Sequence, residues 1–183
     1  MKKKLPLQLK HINLSIDLLK LLRILLIGTT CLFIIFSYLI KPLNIQGNSM
    51  YPTIRSGDTG ITSIFSVKVN KMNRFDIVSV YSPSEDRNLT KRIIGLPNET
   101  VEFKDDRLYI NGKYTPQDFF DKAYVASQTN NGAHKFTEDY GPITLKADEY
   151  FICGDNRIIS VDSRIIGPFK KENILSLYFF KLF

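Results

Sequence analysis

The sequence predicts a mainly β protein, with one N-terminal transmembrane helix followed by a single all-β domain, barrel-like or built of fused antiparallel sheets. Three observations carry this reading. Residues 24–40 contain no charge. From residue 77 onward, short segments rich in β-branched and aromatic residues recur. Between them stand strong turn signals, Lys104-Asp105-Asp106 and Asn111-Gly112.

The apolar run reads Ile-Leu-Leu-Ile-Gly-Thr-Thr-Cys-Leu-Phe-Ile-Ile-Phe-Ser-Tyr-Leu-Ile. With Leu21 and Leu22 it extends to residue 21, interrupted only by Arg23. As a helix that length is about 30 Å, the thickness of a bilayer core. A buried core helix would show a polar face or a shorter run. A cleavable secretory leader would end in a small-x-small site, whereas this run ends Phe-Ser-Tyr-Leu-Ile-Lys-Pro. The expectation is an uncleaved anchor.

Charge supports it. The formal charge is +7, but residues 1–23 hold Lys2, Lys3, Lys4, Lys10, Lys20 and Arg23 against Asp17. The chain from Lys41 onward is close to neutral balance, so the basic character belongs to the N-terminus. That pattern fits a membrane face and argues against a nucleic-acid-binding surface. The organisation expected is a cytosolic basic segment at 1–20, an anchor at 21–40 and an extracytoplasmic β-rich domain at 41–183, the part that the segments described below mark as catalytic. A hydrophobic fraction of 44% and a charged fraction of 23% exclude a disordered chain.

Strands are expected at Ile77–Tyr81, Thr100–Phe103, Arg107–Ile110, Glu149–Cys153 and Ile174–Phe180. Residues from about 114 to 140 are more polar and read as a surface insertion or long loop. The C-terminal Phe-rich end is too short for a second span. Cys31 falls in the apolar run and Cys153 in the domain beyond it, so no bridge between them is expected. His11 and His134 are the only histidines, and neither sits in a metal-binding spacing. No metal and no cofactor are expected.

Three segments concentrate reactive and turn-forming residues. They are Gly47-Asn-Ser-Met-Tyr-Pro-Thr53, Lys91-Arg-Ile-Ile-Gly-Leu-Pro97 and Gly154-Asp-Asn-Arg-Ile-Ile-Ser-Val-Asp-Ser-Arg-Ile-Ile-Gly167. Each alone has an ordinary structural reading: a turn serine, a solvated strand end, a hydrogen-bonded loop. In this order, directly after an N-terminal anchor, they resemble the signature boxes of type I signal peptidases. Gly57-Asp58 and Arg74-Phe-Asp-Ile-Val78 resemble the family's intervening boxes. The resemblance covers roughly residues 24–168, outside the polar insertion.

The resemblance implies Ser49 as nucleophile and Lys91 as general base. It implies that Ser160 hydrogen-bonds the lysine amine and orients it. Asp162 with Arg164, and Asp155 with Arg92, resemble structural ion pairs near the site. The Ser49 backbone N–H is an expected oxyanion donor. Where some members carry a serine two residues before the nucleophile, this chain has Gly47. That departure resembles the Gram-positive branch, as does the short single-anchor chain. A second departure is Asn98-Glu99 after Leu-Pro, where the family has Gly-Asp.

The chemistry of the residues agrees. A serine hydroxyl needs a base to take its proton. His11 lies before the anchor and His134 in the insertion, so a histidine triad is hard to build. A lysine serves only when neutral, and burial lowers its pKa. Leu89, Ile93, Ile94 and Leu96 around Lys91 supply apolar surroundings. The resemblance implies that the substrates are secretory preproteins, bound as an extended strand and cut after small residues of Ala-x-Ala type. Ile45, Met50, Ile54 and Leu89 are the expected pocket residues. Two other functions share some of these features: a self-cleaving Ser/Lys repressor-type protease, which the anchor opposes, and a catalytically silent, membrane-tethered binding protein.

Overall fold

The computed structural model describes residues 14–63, 67, 71–130 and 132–181. The basic residues Lys2, Lys3, Lys4 and Lys10, and also His11, lie outside them. The chain divides into two units, residues 1–38 and 39–183.

The first unit contains all but the last residue of helix α1, Leu14–Leu39. Its stretch Leu18–Ser37 has a mean hydropathy of 2.2 and none of it is buried within the protein. A helix apolar on every face and left uncovered is suited to lipid. It begins before residue 21, where the sequence places the start of the anchor.

The second unit is β structure. Its strands are β1 Ile40–Asn44, β2 Thr59–Ser63, β3 Ile77–Ser82, β4 Arg87–Gly95, β5 Thr100–Lys104, β6 Arg107–Ile110, β7 Lys113–Thr115, β8 Tyr140–Thr144, β9 Glu149–Cys153, β10 Phe169–Lys170 and β11 Ile174–Lys181. Among the described residues they form two sheets. The larger has the order β1-β2-β11-β3-β4-β9-β10 and the smaller β7-β6-β5-β8. All pairings are antiparallel. Of the two architectures expected, fused sheets are the one adopted.

Local sequence explains the hairpins. The β5–β6 turn places Asp105 and Asp106 at φ 51° and 60°. The β6–β7 turn places Asn111 and Gly112 at φ 51° and 76°. Two successive left-handed residues match the twist of the flanking strands, and Asn, Asp and Gly tolerate that backbone best. Asn98 also has a positive φ, 66°, so it supplies the turn that Gly occupies elsewhere.

Alternation along β4 and β9 separates two cores. Ile93, Tyr150 and Ile152 pack with Met72, Val78, Val80, Leu89, Phe169, Ile174 and Leu177. Ile94, Phe151 and Cys153 pack with Val101, Phe103, Leu108, Ile110 and Leu145 between the sheets. Successive side chains of a strand point to opposite faces, so β4 and β9 serve both cores at once. Gly95 marks the close approach. A Cβ there would collide with Val101, and would lie 2.8 Å from Leu145 and 3.0 Å from Phe151.

The stretch 114–140 is more ordered than its polarity suggests. It holds helix α2, Lys122–Gln128, whose N-cap Asp121 accepts a hydrogen bond from Tyr124 N. Phe119, Phe120, Tyr124 and Phe136 form a chain of ring contacts with centroids 4.4–5.9 Å apart. Of the surface insertion or long loop expected, the described residues form an insertion packed as a cap. Its aromatic residues follow no strand or helix period, which is why the sequence reads as loop.

Candidate active site

Ser49 sits in the turn after β1. Gly47, at φ 88°, reverses the chain just before it. Gly47 N donates to Ser56 Oγ (3.1 Å) and Ser56 N to Asn48 Oδ1 (3.3 Å), which ties the two ends of the turn together. Ile54 N donates to Met50 O (2.9 Å). Met50 and Ile54 pack with Ile45 in a small core of their own. Asn156 N donates to Ser49 O (3.0 Å), and Thr53 Oγ1 donates to Asp155 Oδ2 (2.6 Å). The loop after β9 thus grips the serine turn from outside.

Lys91 lies in the middle of β4, not at an exposed strand end. It falls between Leu89 and Ile93 on one face of the strand, and only 2% of it is exposed. Its Nζ is 2.7 Å from Ser49 Oγ. Burial pulls the amine pKa down from 10.5 to about 8, against the opposing charge of Asp162. An amine so placed is neutral in a substantial fraction of molecules at mildly alkaline pH.

The neighbouring ion pairs are largely removed from water. Arg92 reaches Asp155 through two hydrogen bonds of 2.8 and 2.6 Å, and also donates to Phe75 O (2.8 Å). The Phe119 ring covers its guanidinium at 4.1 Å. Arg164 meets Asp162 at 2.9 and 2.8 Å, and Gly154 N donates to the same carboxylate at 3.0 Å. Burial opposes the charge of Asp162, but Arg164 and Gly154 outweigh it and hold the carboxyl below its usual range. Asp162 also caps helix α3, Ser163–Ile166.

Two expectations are corrected. Ser160 does not hydrogen-bond Lys91. Its hydroxyl is buried without a hydrogen-bond partner, near enough to Asp162 to favour that charge but not in hydrogen-bonding geometry. Ile54 does not line the cleft; at 2% exposure it belongs to the core beneath. Ile45, Met50 and Leu89 do line it, with Ser49, Lys91, Ser79 and Val161, around a volume of about 390 Å³. Strand β9 pairs with β4 only from Arg92 onward, so Arg87–Lys91 present an edge to this cleft.

Three residues of the quoted segments have roles that the motif reading did not assign. Gly154 has no room for a side chain: a Cβ would collide with Ser160 and with the Ser49 carbonyl. Thr53 holds Asp155, as described. Arg157 is 3% exposed and has no carboxylate partner among the described residues. It donates to Gly154 O (3.0 Å), Gln117 Oε1 (2.6 Å) and Thr137 Oγ1 (3.3 Å), between the rings of Phe103 and Phe120. It joins the loop after β9 to the cap. Gly and Arg in the third box signalled these positions, but not their partners. Cys153, fully buried, has its thiol pushed up to about 12 by burial, so it is no nucleophile. His134 is exposed in the cap.

Fold and site together define a membrane-anchored β protein in which a serine hydroxyl meets a desolvated amine, a pair of groups suited to acyl transfer. The model of the family described as signal peptidase, peptidase S26, matches residues 18–183, and the chain belongs to this family. It is 38% identical over 135 residues to signal peptidase I V of Bacillus subtilis (strain 168), covering 73% of this chain and 80% of that protein. It is 32% identical over 170 residues to signal peptidase I S of the same organism, covering 90% of this chain and 89% of that one. A crystal structure of a signal peptidase I from Enterococcus faecalis V583 is 36% identical, with a TM-score of 0.52 over 60% of this chain and 98% of that one. Signal-peptide processing by a membrane-anchored serine protease is therefore the activity of the chain.

Proposed function

We propose that Ser49 and Lys91 form the catalytic pair of this signal peptidase. The Ser49 hydroxyl attacks the carbonyl carbon at the end of the signal peptide while its proton passes to the neutral Lys91 amine. The resulting ammonium returns that proton to the leaving amine of the mature protein, and an acyl-enzyme on Ser49 remains. Water then adds to the ester carbonyl, giving a proton to Lys91, and as the tetrahedral intermediate collapses the Lys91 ammonium passes that proton to the departing Ser49 Oγ, so the signal peptide leaves and the neutral amine is restored. The observation that supports this reading most directly is the 2.7 Å contact between Lys91 Nζ and Ser49 Oγ at a lysine 2% exposed. The backbone N–H of Ser49 donates to no group among the described residues, which leaves it available to a developing oxyanion.

The substrate is a secretory preprotein. Its extended chain adds beside the Arg87–Lys91 edge, and small side chains fit against Ile45, Met50 and Leu89. Ser160 acts on the base indirectly, through the Asp162 charge that its hydroxyl favours. The two ion pairs hold the loop after β9 and take no part in the chemistry. The N-terminus is cytosolic and the domain from about residue 41 extracytoplasmic, since the lysines precede the span. Tethering to the membrane that the preprotein crosses raises the effective concentration of one for the other.

The test is cleavage of a purified precursor by the full chain in detergent. The expected product is the mature protein cut after a small residue, and none forms with Ser49→Ala. A folded Ser49→Ala protein that cleaves at the wild-type rate overturns the assignment. For topology, protease added to intact spheroplasts digests the domain; complete protection rejects the orientation.

A further inference from the structure

A second concavity adjoins the catalytic cleft. It measures about 340 Å³ and is lined by Asn48, Tyr51, Arg55, Ser56, Asn156 and Ile159. Asn48 and Ile159 also line the cleft that holds Ser49 and Lys91, so the two cavities meet at the residue preceding Ser49. The second cavity is bound to the serine turn itself, because Asn156 N donates to Ser49 O at 3.0 Å.

The two cavities differ in character. Ile45, Met50 and Leu89 give the first an apolar wall suited to small uncharged side chains. The second presents amides and a guanidinium. Arg55 is exposed and lies 5.5 Å from the centroid of the Tyr51 ring. Its guanidinium has no carboxylate partner among the described residues. Tyr51 is held in turn by Tyr124, whose ring meets it edge-on at 5.5 Å and whose hydroxyl donates to Tyr51 O (3.3 Å). The cap thereby fixes the ring on which Arg55 rests. Asn156 is 8% exposed, and its Oδ1 is buried without a hydrogen bond. The cavity, which meets the cleft at Asn48, thus combines an unneutralised cation on a fixed aromatic platform with an unsatisfied amide oxygen open to a donor such as a main-chain N–H of the bound chain.

A chain lying across Ser49 with its small residues in the apolar cleft leaves on the far side. Given the catalytic reading above, on which this inference rests, that far side is where the residues following the scissile bond run. We propose that the second cavity receives the first residues of the mature protein and that Arg55 selects acidic side chains there. A partly exposed Arg–carboxylate pair is weak, so the selection is a preference and not a requirement.

The experiment uses synthetic precursors with one signal peptide and different residues at the first two mature positions: Asp or Glu, Gln, and Lys. The full chain in detergent is assayed for kcat/KM on each. Wild type cuts the acidic precursors about two- to fivefold faster than the lysine precursor, and salt narrows the difference. Arg55→Gln levels the series, and Arg55→Glu reverses its order. Replacing the last signal-peptide residue by Leu slows all three enzymes alike, which separates this cavity from the apolar one. Equal rates for all precursors with wild type, or an acidic preference that survives Arg55→Gln, overturn the inference while leaving the catalytic reading intact. Failure of wild type to cleave any precursor overturns both.

Discussion

Lys91 Nζ and Ser49 Oγ stand 2.7 Å apart although the two residues lie 42 positions apart in the chain. The contact is made where the middle of a strand passes beneath a turn. If the pair acts as one unit, removing either member disables the step. Ser49→Ala and Lys91→Met are each expected to lower kcat/KM on the order of 10⁴-fold, and the double variant no further. Single-turnover cleavage of a precursor measures this, with circular dichroism to establish that each variant is folded. Losses that multiply in the double variant contradict a shared step.

The buried lysine makes both activity and stability depend on pH. Its pKa is lowered from 10.5 to about 8, so activity rises with pH to a midpoint near 8. For stability, the unfolded state binds the proton more tightly, and stability therefore rises with pH across the window from about 8 to 10.5. Below that window the buried ammonium carries its full cost, about 3 kcal/mol. Lys91→Met removes the charge. It should be more stable than wild type at pH 7 by up to about 3 kcal/mol, and the advantage should close as pH approaches the value of a free lysine. Thermal unfolding in detergent at several pH values reads this; a pH-independent difference refutes it.

Arg92 and Asp155 are 8% and 0% exposed, so neither charge has water to fall back on. Asp155→Asn leaves Arg92 without its counter-charge and weakens the anchor of Thr53. The expected loss is about 3–5 kcal/mol of stability, seen as a lowered unfolding temperature, with activity falling as the serine turn loosens. A variant as stable as wild type shows the pair to be dispensable.

Gly154 and Ser160 invert the usual expectation for a glycine and a serine near a nucleophile. Gly154→Ala drives a methyl group into Ser160 and the Ser49 carbonyl. It should cost about 1–3 kcal/mol and displace the nucleophile, with a large fall in kcat. Ser160→Ala removes a buried hydroxyl that has no hydrogen bond, so stability should hold or rise while kcat falls by about tenfold or less. Comparison of kcat and unfolding temperature for the two variants decides; a destabilised Ser160→Ala shows that the hydroxyl is bonded in solution.

Much of the architecture follows from local chemistry and was legible in the residues. The uncharged run at 24–40 dictates a membrane-length helix, because only a fully apolar surface suits lipid. Asp105-Asp106 and Asn111-Gly112 dictate the two hairpins, because few residues accept consecutive left-handed backbone. Three short boxes were enough to indicate the family. Long-range contact decided the rest. That Lys91 is buried depends on β3, which pairs with it at Val78, and on the serine turn over its amine, and its proton affinity follows from that enclosure. The burial of Arg157 depends on aromatic rings brought in from residues 103 and 120. The hydroxyl of Ser160 makes no hydrogen bond to the partner that the motif suggested, and the rings of the polar stretch at 114–140 cover Arg92 and Arg157, which lie far from it in sequence. Backbone preference and hydropathy act over a few residues and so can be read in the sequence. Desolvation and electrostatic pairing are set by neighbours distant in the chain, and only the tertiary structure determines them.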